Sequence, residues 1–127
     1  MLSDLDAMSR DHRNLRVFAL ADDLVKDVYR ITTGFPVEER FGLQTQLRRA
    51  VVSTATNIVE GCARRSTREY ASFVNIATGS SAEVLYLLDL SVRLGILRAD
   101  ACVDVAERAK ELVKGLKSLM NSLADQP

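Results

Sequence analysis

The sequence predicts an all-α fold, an antiparallel up-down-up-down four-helix bundle. Three observations predict it. Apolar residues recur at three- and four-residue steps through four long stretches. Helix start and stop signals separate those stretches by only a few residues, which turns each helix back along its predecessor. No stretch of useful length alternates apolar and polar residues as a strand would.

Residues 1–13, with Asp4, Asp6 and Asp11, are too polar for a secretory signal and read as a loose N-terminal arm. The bundle domain spans residues 14–124. Its first helix, at about 14–33, carries Val17, Ala21, Leu24, Val28 and Ile31 on one stripe, with Phe18 and Val25 beside it. Gly34-Phe35-Pro36 should stop it, glycine as the cap and proline as a barrier to continuation. The second helix is expected over about 38–62, with Leu43, Leu47, Ala50, Thr54 and Ile58 on its core side. Glu38 and Glu39 would occupy its first turn, where carboxylates suit the positive end of the helix dipole.

Ser66-Thr67-Arg68-Glu69 reads as a capping box that opens a third helix over about 67–94. That helix shows two apolar stripes, one through Tyr70, Phe73, Ala77, Val84, Leu87 and Leu94, the other through Val74, Leu85, Leu88 and Val92. A helix apolar on two sides needs two partners. The second stripe is therefore a candidate oligomer interface; the alternative is one broad core-facing stripe with some exposure at its edge. The fourth helix, about 99–124, has a clean heptad seam of Cys102, Val105, Ala109, Leu112, Leu116, Leu119 and Leu123.

The chain has 127 residues, enough for one core without metal or disulfide support. Cys62 and Cys102 stand far apart with no ligand-spaced companions, so each reads as a buried free thiol of a reducing cytoplasm. No run of consecutive apolar residues exceeds five, which excludes a membrane-spanning helix. The formal charge is zero, from 17 basic and 17 acidic residues, and this argues against binding through bulk charge.

That charge is segmented. Residues 40–68 hold six arginines and one acid, Glu60, whereas the segments before and after are net acidic. Arg48, Arg49, Arg64, Arg65 and Arg68 are the candidate nucleic-acid contacts, because guanidinium groups suit bidentate contact with phosphate. Arg64, Arg65 and Arg68 also lie beside a helix N-terminus, which favours anions. The alternative is that these arginines pair with acids of neighbouring helices or subunits. Asn57 and Glu60, and then Asn75, Gly79 and Glu83, recur on single helix faces and suggest a polar network or subunit contact, with Gly79 permitting close backbone approach.

The residues named above carry a resemblance. Gln46-Leu47-Arg48-Arg49-Ala50, Ser53, Asn57-Ile58, Glu60-Gly61, Arg64, Ser66, Glu69, Phe73, Ile76-Ala77, Gly79-Ser80 and Glu83 resemble the pattern of the 23S rRNA intervening-sequence proteins, bacterial four-helix bundles. Asn14-Leu15-Arg16-Val17-Phe18 and the turn from Phe35-Pro36 to Gly42-Leu43 look like the same family. Phe18 departs from a frequent tryptophan, and Ala55 from a frequent proline that would kink the second helix. The resemblance implies a cytosolic ring-like homopentamer with no catalytic activity and no cofactor. Kinship with the accessory protein of diversity-generating retroelements further implies contact with RNA or DNA. A structural or adaptor oligomer that binds another protein is the alternative.

The residues themselves speak against catalysis. His12 is the single histidine and falls in the arm, which excludes triads and histidine metal sites. Glu60, Glu69 and Glu83 do not belong to Glu-x-x-His motifs, and no glycine-rich phosphate loop is present.

Overall fold

A computed structural model describes residues 10–125. Four helices follow in order: α1 (Arg16–Thr32), α2 (Leu43–Cys62), α3 (Thr67–Arg93) and α4 (Ala99–Ala124). Each packs against two neighbours, α1 on α2 and α4, and α3 on α2 and α4, and diagonal pairs do not approach. No strand occurs among the described residues. This is the expected four-helix bundle, and its α1–α2 and α3–α4 connections lie at one end, opposite the α2–α3 turn.

The core follows from the spacing of the apolar residues. Leu24 and Val28 of α1, Leu47, Val51 and Ile58 of α2, Val74, Val84 and Leu88 of α3, and Val105, Leu112 and Leu116 of α4 are fully or almost fully buried. Each such side chain contributes about 1.5–3 kcal/mol by leaving water. Four hydroxyls are buried with them, and each donates to a carbonyl of its own helix: Thr32 to Val28, Thr54 to Ala50, Ser81 to Thr78 and Ser91 to Leu87. No buried side-chain polar atom among the described residues lacks a partner. Cys62 and Cys102 are free and buried, and burial pushes both thiols up.

Four local expectations change. The arm shortens: residues 1–9 lie outside the described residues, but Arg10 donates its backbone N–H to Cys62 O at 3.0 Å. His12 opens a 3-10 turn, His12–Asn14, and packs edge-on against Phe18. The second helix begins five residues later than expected. Val37–Glu39 is a separate 3-10 turn, and Gly42 leaves the helical path at φ −111° and ψ −114°. Glu39 instead caps α2 from outside, its carboxylate accepting from Leu43 N at 3.1 Å.

The glycine expected to cap α1 does not adopt a left-handed conformation; Gly95 does, at φ 75°. There Ile96 N–H reaches Ser91 O and Gly95 N–H reaches Val92 O, the paired bonds of a Schellman cap on α3. The C-terminus of α1 is closed by side chains instead: Thr32 donates to Val28 O and Thr33 to Tyr29 O.

The second apolar stripe of α3 is largely not an external surface. Val74 and Leu88 have no exposure in the single chain, and Leu85 and Val92 are half-buried against the core. Every helix of a four-helix bundle has two neighbours, so α2 and α4 together cover the wide apolar arc. Val74 and Leu88 therefore cannot meet a second chain unless the bundle opens.

Candidate nucleic-acid interface

The α2–α3 turn gathers four guanidinium groups. Ser66 accepts from Glu69 N–H at 3.1 Å and donates to the Glu69 carboxylate, so the capping box fixes where α3 starts. Gly61 lets α2 and α3 meet closely just before this turn. A Cβ on Gly61 would lie 2.9 Å from Phe73 Cβ and 3.1 Å from Tyr70 Cδ1. That approach brings both rings of α3 under the arginines.

Arg64 is exposed and lies over the Phe73 ring, 4.6 Å from its centroid. Arg10 lies over the Tyr70 ring at 4.2 Å, and its terminal nitrogens donate to Thr67 Oγ1 at 3.3 Å and Arg64 O at 3.5 Å. Stacking on Phe73 leaves the N–H edge of Arg64 free for an oxyanion, whereas Arg10 commits one donor of each terminal nitrogen within the chain. Arg65 and Arg68 are exposed and make no ion pair or side-chain hydrogen bond with another described residue. Glu60, one turn before Arg64, is exposed and equally unpaired. Arg10, Arg64, Arg65 and Arg68 thus form a cationic end of the bundle, beside the N-terminal amides of α3.

Beneath Arg10, the Tyr70 phenol is only 2% exposed. Its pKa is pushed up to about 12, first by burial and then by the adjacent Cys62 thiol. Among the described residues no group of three acids, cysteines or histidines is placed to hold a metal ion. No helix there is long and apolar enough to cross a membrane.

The remaining candidates are distributed elsewhere. Arg48 is turned inward: its Nε donates to Thr32 Oγ1 at 3.0 Å, a terminal nitrogen donates to Tyr29 O at 3.4 Å, and its guanidinium covers the Tyr29 ring at 4.4 Å. It closes the C-terminus of α1, where a cation complements the dipole. Arg49, one residue on, is exposed and has no partner among the described residues; it lies at an open groove of about 500 Å³ between α1 and α2, with Tyr29, Val52 and Thr56 in its lining.

The polar network also has different members from those expected. Asn57 donates to Ser53 O at 2.8 Å and to Ser53 Oγ at 3.1 Å, and Ser53 Oγ meets Ser80 Oγ at 2.9 Å, linking α2 to α3. Glu60, Asn75, Gly79 and Glu83 face outward and take no part. Arg10 had no signal in the sequence, since an arginine in a polar arm carries no periodicity.

The model of a known family, described as 23S rRNA-intervening sequence protein, matches residues 13–118, which is most of the chain. The chain belongs to that family. No curated protein matches. A crystal structure of a protein of unknown function from the S23 ribosomal protein family of Bacteroides thetaiotaomicron superposes with a TM-score of 0.74. The two are 20% identical, over 82% of this chain and 97% of the other. At that identity the likeness shows the fold alone. The intervening-sequence family match covers α1, α2, α3, the arginine turn and most of α4, but not Arg10.

Proposed function

We propose that this chain is a non-enzymatic, self-assembling binding module that grips RNA or DNA phosphates with the α2–α3 turn. One observation carries the reading. Four guanidiniums share one end of the bundle: Arg64 stacks on Phe73 with its donors unused among the described residues, Arg65 and Arg68 have no partner there, and Arg10 is anchored over Tyr70 with bonds to Thr67 and Arg64. Several arginines elsewhere are paired with intramolecular acids, as in Arg108 with Asp27 at 2.6 Å and Arg93 with Asp89 at 2.8 Å. Repetition of the cluster in a homopentamer would convert weak phosphate contacts into avid ones. The count of five rests on the family resemblance, and self-assembly itself on the exposed apolar side chains Ile76, Tyr86, Leu94 and Val103. Buried unpaired thiols fit a reducing compartment such as the cytoplasm.

The test is a binding measurement with fluorescent single-stranded RNA and duplex DNA at low salt. The variant Arg64→Gln/Arg65→Gln/Arg68→Gln should bind at least ten-fold more weakly while its mass by light scattering stays that of the parent. No binding by the parent at low salt would end the proposal. The alternative is an adaptor or structural oligomer that binds another protein, with its arginines used in subunit contacts; Arg48, bonded to Thr32 and Tyr29, shows only that one arginine of the block is not free for phosphate. That alternative predicts that the same triple substitution changes the mass instead.

A further inference from the structure

Three outward features have no use within one chain. Gly79 lies midway along the 27-residue α3, where a Cβ would meet nothing within 4 Å. Its φ is not positive. A glycine that neither turns the chain nor relieves a clash costs a helix about 1 kcal/mol relative to alanine. Ile76, Gly79, Glu83 and Tyr86 follow one another at three- and four-residue steps, so they line one outer ridge of α3. Ile76 is 49% exposed and Tyr86 58% exposed, and Glu83 has no ion pair or hydrogen bond with a described residue. The α1–α2 groove is lined by the apolar surfaces of Tyr29 and Val52, the hydroxyls of Thr45, Ser53 and Thr56, and two cations, Arg48 and Arg49, of which Arg49 has no partner among the described residues.

Ridge and groove complement each other. Each has an exposed apolar part, Ile76 and Tyr86 on the ridge and Val52 and Tyr29 in the groove, the ridge offers an anion and the groove two cations with no acidic partner among the described residues, and every chain carries both in equal number. A helical ridge fits a groove between two helices, and the absent side chain of Gly79 lets the backbones come close. We infer that the α3 ridge of one copy docks in the α1–α2 groove of a second copy, Glu83 pairing with Arg49, Ile76 and Tyr86 covering Val52 and Tyr29, and Gly79 allowing the close approach. This deepens, and rests on, the self-assembly proposed above. Because the joined surfaces differ, the contact is heterologous and propagates from copy to copy until a ring closes.

Charge reversal tests it, read by sedimentation equilibrium with helix content checked by circular dichroism. Arg49→Glu and Glu83→Arg, each alone, set like charges against each other and should weaken association at least ten-fold. The double variant Arg49→Glu/Glu83→Arg restores opposite charges at every contact and should recover assembly. Gly79→Leu should dissociate the assembly without loss of helix. If the parent assembles and both single variants assemble equally well, this docking is wrong while self-assembly stands. Failure of the double variant to recover also overturns it. A parent that stays a single chain at every concentration removes both proposals.

Discussion

Gly61→Ala probes the contact that shapes the arginine turn. A Cβ at this position would stand 2.9 Å from Phe73 Cβ, closer than real Cβ contacts come, and 3.1 Å from Tyr70 Cδ1. Phe73 Cβ is fixed to the α3 backbone and cannot rotate aside, so the helices must separate by a few tenths of an ångström. Overpacking of this kind costs about 1–3 kcal/mol, and alanine returns somewhat less than 1 kcal/mol of helix propensity so near the end of α2. The net expectation is a loss of about 1–2 kcal/mol, or roughly 4–8 °C in Tm for a domain of this size. Gly79→Ala is the internal control. Its Cβ enters open space, so the single chain should gain about 0.8–1 kcal/mol from propensity alone.

Urea and thermal unfolding by circular dichroism, at a dilution where parent and variants sediment as single chains, reads both effects. The near-ultraviolet signal of Tyr70 should change with Gly61→Ala and not with Gly79→Ala. A Gly61→Ala protein as stable as the parent would refute the close α2–α3 approach, and with it the placement of Phe73 and Tyr70 beneath Arg64 and Arg10.

Arg48→Met keeps the aliphatic stem but removes the bonds to Thr32 and Tyr29, and should cost about 1.5 kcal/mol by urea unfolding without altering nucleic-acid affinity. Gly95→Ala forces a side chain into the left-handed region of the α3 cap, and a loss of about 1–2 kcal/mol is expected in the same assay. Tyr70 is held neutral in the folded state, since its pKa rises from 10.0 to about 12. Its contribution is therefore complete below pH 10 and is lost as pH climbs through about 12. Tyr70→Phe should accordingly make stability less steep in pH across that window, by up to about 1.4 kcal/mol per pH unit. An unchanged slope in the unfolding free energy would count against the buried phenol.

The bundle was legible in the sequence because long helices with a 3.6-residue apolar period leave few alternatives. The ends of those helices were less so, for local reasons. Glu38 and Glu39 look like first-turn acids, but Gly42 breaks the path between them and the helix, and Glu39 caps from outside. Gly34 and Gly95 both follow an apolar run, and sequence alone does not say which takes a positive φ. The breadth of the α3 apolar arc was visible; that α2 and α4 both claim it, burying Val74 and Leu88, depends on the packing. At the turn, Arg64, Arg65 and Arg68 stood out by density of charge. Arg10 did not, because its place over Tyr70 follows from a backbone bond to Cys62 across 52 positions, a long-range contact with no local signature. Asn57 was read as part of a polar network, but its partners Ser53 and Ser80 are small side chains on the seam between helices, easily passed over as packing residues.

The salt dependence of nucleic-acid affinity tests the central claim most directly. Each phosphate neutralised contributes a log–log slope of about −0.7 to −0.9, so a parent using all four arginines should show a slope near −3 per chain engaged. The variant Arg10→Gln/Arg64→Gln/Arg65→Gln/Arg68→Gln should be nearly flat. Equal slopes for parent and variant would place phosphate contact somewhere other than the α2–α3 turn and contradict the account.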